Sequence, residues 1–335
     1  GFDAAMAEQR AKARAAWAGS GDAADEAVWF DIRDRVGATE FVGYTGETGQ
    51  GRVDAIVKDG AEVEAAEAGD EVWLVVNQTP FYAESGGQMG DTGRIAGTDG
   101  SDLGLAVLDT QKRVGALHVH RARVETGRVA VGDVVALAID GDRRRALRAN
   151  HSATHLLHRA LRRLLGDHVA QKGSLVAAER LRFDLSHPKA IGADMLAAVE
   201  DEVNAYIQQN SPVTTKVMSY DAAVDAGAMA LFGEKYGDEV RVLTMGTERF
   251  SVELCGGTHV ARTGDIGVLR IVSEGGLAAG VRRIEALTGA AALDDVHGVD
   301  ATLNGICAGL RASRGTVADK VQALRRQQRE LEKEL

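Results

Sequence analysis

The sequence predicts an α+β protein in which a small β-barrel is followed by a two-layer α/β core and a C-terminal helical segment. Three observations carry that reading: short period-2 segments between about 38 and 140, alternating strand-like and helix-like segments after them, and a heptad-like spacing past 290. Taken in order, residues 1 to about 18 are rich in Ala, Glu, Gln, Lys and Arg and read as a helix ended by Gly19-Ser20-Gly21-Asp22. RVDAIV, EVWLVV, LGLAVLD, ALHVHRARV and DVVALAI then alternate apolar and polar positions between turns such as Asp59-Gly60 and Asp99-Gly100, the pattern of a small barrel. Arg143-Arg144-Arg145 reads as a basic hinge into an amphipathic helix from about 145 to 165. Beyond it, strand-like LRFDLS, VTTKVMS, VRVLTM, GVLRIVS and VRRIEAL alternate with helix-like ADMLAAVEDEVNAYIQQ and DAAVDAGAMALF, which predicts helices layered on a mainly antiparallel sheet. Val317, Val321, Leu324, Gln328, Leu331 and Leu335 then follow the 4-3-4-3-4 spacing of a coiled-coil seam, a pattern that a lone amphipathic helix also fits. The expected division is therefore 1–25, a helical tail; 26–145, the barrel; 146–290, the core domain; and 291–335, the start of a helical segment.

Composition narrows the function classes. At 335 residues, 45% hydrophobic and 26% charged, the chain has a globular composition with room for about two domains. Its 40 glycines follow no Gly-X-Y period, which excludes a collagen-like chain and leaves the glycines to turns. Two cysteines, Cys255 and Cys307, exclude a disulfide framework. A net charge of −10 argues against indiscriminate nucleic-acid binding while leaving room for a local basic patch. No apolar run approaches the ~18 residues of a membrane helix, and the charged, alanine-rich start lacks a signal peptide's pattern, so a cytoplasmic location is expected. A first residue other than Met and a last residue inside a helical pattern suggest a piece of a longer chain.

Two motifs carry chemistry. In His151-Ser152-Ala153-Thr154-His155 the imidazoles stand at i and i+4, so on a helix both project from one face, with His158 a turn further on. Ala153, Leu156, Leu157, Ala160, Leu161 and Leu164 lie mostly on the opposite face, so the histidines are not part of the helix's own apolar stripe. Cys255-Gly256-Gly257-Thr258-His259 sets a thiol and an imidazole across a double glycine that permits a tight turn. Together the motifs offer His, His, Cys and His, a donor set that favours Zn(II) over hard-oxygen cations, with His158 able to replace one of them. The position after His151 is Ser152 and not Glu, which argues against an HExxH peptidase. Four ligands bound at once would make a closed, structural site; a loose or fifth position would admit a hydrolytic water. The loop Ser85-Gly86-Gly87-Gln88-Met89-Gly90-Asp91-Thr92-Gly93 is neither a P-loop nor a Rossmann fingerprint and reads equally as a barrel turn or as a segment near a ligand.

At these residues the chain resembles the editing region of the alanyl-tRNA synthetase family and its free-standing trans-editing relatives. The matching stretches are 81–93, 150–162, 169–176, 227–242, 253–267 and 280–289, with HSATH, CGGTH and GVRRIEA the most specific. The resemblance implies a barrel, a core like the second additional domain of threonyl- and alanyl-tRNA synthetases, and a helical segment linked to dimerisation. It also implies Zn(2+) held by His151, His155, Cys255 and His259, with Thr154 and Gln171 contributing to substrate discrimination. Aminoacylation, with its ATP and alanine sites, is expected to belong to a part of the family's enzyme outside this sequence.

The expected activity is hydrolysis of Ser-tRNA(Ala) and Gly-tRNA(Ala), with Thr154 and Gln171 as the candidate catalytic residues. Arg143, Arg144, Arg145 and Arg148 precede the histidine helix, and Arg162 extends its histidine face. With Arg282 and Arg283 they are candidates for holding phosphates of the tRNA acceptor end, and strand alternation lets only one of Arg282 and Arg283 face a pocket. The alternatives are a non-catalytic, zinc-stabilised tRNA-binding and dimerisation module, and a zinc hydrolase of small esters, which leaves the arginines unexplained. A homodimer through the C-terminal helix is a further expectation.

Overall fold

A computed structural model describes residues 23–98, 100–229 and 237–334. The expected helix at 1–18, Asp99 of one turn, part of the DAAVDAGAMALF segment and Leu335 of the heptad pattern lie outside them. Among the described residues the chain forms two compact units: one runs to Ser85 and resumes over Gly90–Gly141, and the other joins Gly86–Met89 to the chain from Asp142 onward.

The first unit is a closed barrel of six antiparallel strands, β1 (Thr48–Lys58), β2 (Glu71–Val76), β3 (Gly93–Gly97), β4 (Gly104–Arg113), β5 (Leu117–Thr126) and β6 (Val134–Ile139), hydrogen-bonded in the ring order β6-β3-β4-β5-β2-β1-β6. Alternating apolar positions such as Val53, Leu74, Ile95, Leu105, Val124 and Leu137 fill its interior. The turn after β1 uses Asp59 (φ 50°) and Gly60 (φ 77°), the left-handed pair that a two-residue hairpin requires. A helix absent from the sequence expectation, α1 (Ala23–Val36), lays Trp29 and Ile32 against Ala55, Val57, Val75 and Val119, a second apolar cluster of this unit.

One barrel histidine carries a consequence for stability. His120 is fully buried, with Nδ1 3.1 Å from the Leu74 carbonyl and Nε2 2.8 Å from the Thr79 hydroxyl. A carbonyl only accepts, so Nδ1 carries the proton of the neutral ring and Nε2 accepts from Thr79. Burial pushes its pKa down to about 4. A folded pKa below the unfolded value of about 6.5 means the unfolded chain binds the extra proton, so stability is full above pH 6.5 and falls toward pH 4, by about 3 kcal/mol. Urea unfolding followed by tryptophan fluorescence, which Trp29 and Trp73 of this unit report, should show this loss, and His120→Gln should remove it.

The second unit is built on α2 (Gly141–Leu165). The sequence expectation of a basic hinge before the helix is corrected here: Arg143, Arg144 and Arg145 lie within its first turns, Asp142 stands favourably at its positive end, and Arg144 is completely buried. Gly166, at φ 114°, ends it, its N–H donating a hydrogen bond back to the Arg162 carbonyl. Leu156, Leu157 and Leu161 pack into one core with Val199, Val203 and Ile207 of α3 (Ala193–Gln208) and with Phe183, Leu185 and Ile284.

The last three come from a four-stranded antiparallel sheet in the order β7-β8-β13-β12, where β7 is Gln171–Val176, β8 Leu181–Ser186, β12 Leu269–Ala278 and β13 Val281–Thr288. A second, three-stranded sheet orders β9 (Thr214–Ser219), β10 (Glu239–Met245) and β11 (Ser251–Leu254). Between β9 and β10, the described part of the helix expected over 221–232 is helical only in α4 (Tyr220–Asp225), and Gly227 at φ 77° turns the chain away. The chain continues into α5 (Gly289–Leu310) and α6 (Val317–Glu334), and on α6 the seam residues Val321, Leu324 and Leu331 are exposed. No described helix is long and apolar enough to cross a membrane.

Candidate metal centre

The two motifs meet. His151 and His155 project from one face of α2, and β11 delivers Cys255, whose amide extends the ladder to the Arg241 carbonyl at 3.0 Å. The chain then turns through Gly256-Gly257-Thr258 to His259. One donor atom from each of His151, His155, Cys255 and His259 lies within 4.8 Å of the others. Cys255 Sγ stands 3.5 Å from His151 Nε2 and 3.3 Å from His259 Nε2. The described residues hold no other His, Cys, Asp and Glu group of this kind.

Each imidazole is held from behind. His151 Nδ1 donates to Gln88 Oε1 at 2.7 Å, His155 Nδ1 meets Glu253 Oε2 at 2.7 Å, and His259 Nδ1 lies 3.2 Å from Ser152 Oγ. Gln88 is itself fixed by Thr258, receiving its amide N–H at 3.0 Å and donating to its hydroxyl at 2.8 Å. With Nδ1 engaged, each ring turns Nε2 inward, and His155 Nε2 is a buried atom with no hydrogen-bond partner. Such an atom is expensive to bury unless a cation receives it. Thiolate and imidazoles together can therefore hold a metal ion.

The electrostatics of Cys255 and His259 agree with that role. Burial alone would raise the Cys255 thiol, but His151, His259 and His155 around it pull it well below its usual range and favour the thiolate. Burial pushes His259 down to about 3, keeping it neutral. For His155 burial is outweighed by the Glu253 carboxylate and by Cys255, which lift it to about 10; Glu253 is correspondingly lowered.

Sequence reasoning missed Gln88, Glu253 and, as more than a replaced glutamate, Ser152. The Gly-rich loop was the one available signal: Gly86–Met89 pairs with Val176 of β7 through the bonds Val176 N to Gly87 O (2.7 Å) and Met89 N to Val176 O (3.0 Å). His158, the candidate substitute ligand, stands apart from the four; it is buried, with Nδ1 3.5 Å from Glu253 Oε1. Thr154 is buried one residue before His155, and its hydroxyl donates to the Asn150 carbonyl at 2.8 Å. Gln171 opens β7, with Nε2 3.3 Å from Ser174 Oγ.

The arginines are engaged with protein groups. Arg162 ties the loop after α2 through Asp167 and the Val169 carbonyl. Arg282 grips Glu274 at 2.5 and 2.8 Å, and Arg283 grips Asp184, its cross-strand partner, at 2.7 and 2.8 Å.

Comparison with known proteins gives these features a family. Residues 1–143 match the profile of class II (A) tRNA synthetases, and residues 240–285, which include Cys255 and His259, match the threonyl and alanyl tRNA synthetase second additional domain. Alanine–tRNA ligases of Rhizorhabdus wittichii, Granulibacter bethesdensis and Sphingopyxis alaskensis are 58%, 57% and 56% identical over the whole of this chain. The chain belongs to the alanyl-tRNA synthetase family. It spans 38% of the length of each of these alanyl-tRNA synthetase relatives. The family's second-additional-domain match supplies half of the four-donor cluster, and α2, outside that match, supplies His151 and His155.

Proposed function

We propose that this chain is a zinc-dependent aminoacyl-tRNA deacylase that hydrolyses Ser-tRNA(Ala) and Gly-tRNA(Ala), the editing part of a cytoplasmic alanyl-tRNA synthetase. The observation that carries the reading is the convergence of His151, His155, Cys255 and His259 with Nδ1 of all three imidazoles already engaged. Zinc fits the donors: ligand bonds of about 2.3 Å to sulfur and 2.0–2.1 Å to nitrogen at a tetrahedral angle imply an S···N edge of about 3.6 Å. The two S···N separations here are 3.5 and 3.3 Å.

The need for such a site is physical. A pocket built for alanine discriminates against glycine by only ~1–3 kcal/mol and rejects an added hydroxyl poorly, so a second, hydrolytic site must remove the wrong esters. Hydrolysis adds water across the acyl–oxygen bond and releases the amino acid and the ribose hydroxyl. A bound zinc ion supplies Lewis-acid chemistry, polarising the ester carbonyl or the attacking water.

Thr154, its proton committed to Asn150, would accept a hydrogen bond from the serine hydroxyl, which alanine cannot give. Gln171, with one amide donor on Ser174, would use its remaining groups to orient the ester. Arg162 and whichever of Arg282 and Arg283 faces the pocket would meet phosphates of the acceptor end; each bidentate carboxylate pair of Arg282 and Arg283 uses two of five guanidinium N–H donors. The exposed α6 seam is the surface through which the homodimer would form.

A second reading, a non-catalytic zinc-stabilised module that binds tRNA, draws support from the four-protein-ligand set itself, the usual composition of a closed structural site. Incubating the zinc-loaded protein with Ser-, Gly- and Ala-tRNA(Ala) separates the two. Loss of the serine and glycine esters alone supports the deacylase, and stability of all three supports the module. Within the first outcome, Thr154→Val should reduce serine-over-alanine selectivity by roughly 3- to 10-fold, the worth of one neutral hydrogen bond; unchanged selectivity would remove Thr154 from that role.

A further inference from the structure

Among the groups behind the donor cluster, one is charged. Glu253 leaves β11 two residues before Cys255, and its carboxylate is 2% exposed. Oε2 meets His155 Nδ1 at 2.7 Å; Oε1 accepts the Ser251 hydroxyl at 3.2 Å and lies 3.5 Å from His158 Nδ1. An isolated carboxylate is among the most expensive groups to bury, so this one persists only against a compensating positive charge. Gln88 and Ser152 serve His151 and His259 with neutral oxygens, so they orient rings without altering the charge of the centre.

We propose that Glu253 is a positioning residue that sets the affinity of the centre for a divalent cation, by fixing the His155 ring and by bringing the buried charge to zero. The proposal rests on the metal reading above. The charge balance is direct: a 2+ ion, the Cys255 thiolate and the Glu253 carboxylate sum to zero when the three imidazoles are neutral. A centre without the carboxylate keeps a buried unit of positive charge. The Nδ1···Oε2 bond also strengthens His155 as a donor, because a ring that shares its Nδ1 proton with an anion carries more electron density at Nε2. The orphaned, buried Nε2 of His155 is the atom that gains. His158, outside the donor set, lies with Nδ1 3.5 Å from the other carboxylate oxygen.

The test is zinc affinity, measured by competition with a chromogenic chelator on the parent chain and on Glu253→Gln, which keeps the volume and an acceptor oxygen but loses the charge. The parent should bind one zinc tightly, and Glu253→Gln should bind it 10- to 100-fold more weakly, with the thiolate-to-cobalt absorption of the Co(II)-loaded form shifted. A parent that binds no zinc defeats the metal reading and the proposal with it. A parent that binds zinc and a folded Glu253→Gln that binds it equally well defeats the proposal alone. Should Glu253→Gln not fold, Ser251→Ala decides: it removes one bond to Glu253 Oε1, and a several-fold weaker affinity supports the proposal while an unchanged one overturns it.

Discussion

Cys255→Ala should leave a folded protein that carries no stoichiometric zinc and deacylates Ser-tRNA(Ala) at least roughly 100-fold more slowly. Cys255 is the only sulfur donor of the four, and its thiolate is the group to which His151 and His259 both turn Nε2. Without it three neutral imidazoles remain, with no anion among the ligands to offset a 2+ charge. The fold should tolerate the change. Cys255 is only partly buried at the edge of the main core of its unit, and trimming a sulfur there costs on the order of 1 kcal/mol. Metal analysis, a thermal melt and the deacylation assay on one preparation read all three consequences. A folded variant that loses zinc and keeps full activity would show that the metal takes no part in the hydrolysis.

The second large effect comes from a methyl group. A Cβ on Gly257 would stand 2.1 Å from His151 Cε1, 2.5 Å from His151 Nδ1 and 3.0 Å from Gln88 Oε1. The ring cannot step aside cheaply, because Nδ1 is bonded to Gln88 and the surrounding residues are buried. Gly257→Ala should therefore break the Gln88 bond, swing Nε2 away from Cys255 and weaken metal binding by about 100-fold or more, the effect expected for losing a ligand together with its support. Gly256 is the control in the same turn: a Cβ there meets nothing within 4 Å, so Gly256→Ala should change zinc affinity by less than about 3-fold. Equal effects at the two glycines would mean that backbone freedom, and not closeness to His151, is what the pair supplies.

That contrast shows where reading the residues stops. The double glycine predicts a tight turn, yet neither Gly256 nor Gly257 has a positive φ, and Gly257 is required by what packs against it. The barrel was legible because its strands alternate apolar and polar residues at period 2 and its turns use left-handed residues such as Asp59-Gly60. Helix α2 was legible from its apolar stripe, and its start was misplaced because arginines that look like a solvated hinge continue the helix and one of them, Arg144, is buried. The arginines invited phosphate roles because charge in a sequence carries no record of its partner. Arg283 finds Asp184 across a strand pair, and Arg282 finds Glu274 along a hairpin.

By itself the sequence carried the expected fold class, the candidate donors, with His158 still among them, and the family resemblance, all of which depend on local spacing: period 2 for strands, i and i+4 for two imidazoles on one helix face, CxxxH for a turn. Only the tertiary structure decided that the four donors converge, and which groups stand behind them. Gln88 reaches His151 across 63 residues of chain, Glu253 reaches His155 across 98, and Ser152 reaches His259 across 107. A hydrogen bond needs its two atoms within about 3 Å and suitably aligned. At such separations along the chain, that condition is met by the packing of helices and sheets and by no pattern that neighbouring residues can spell.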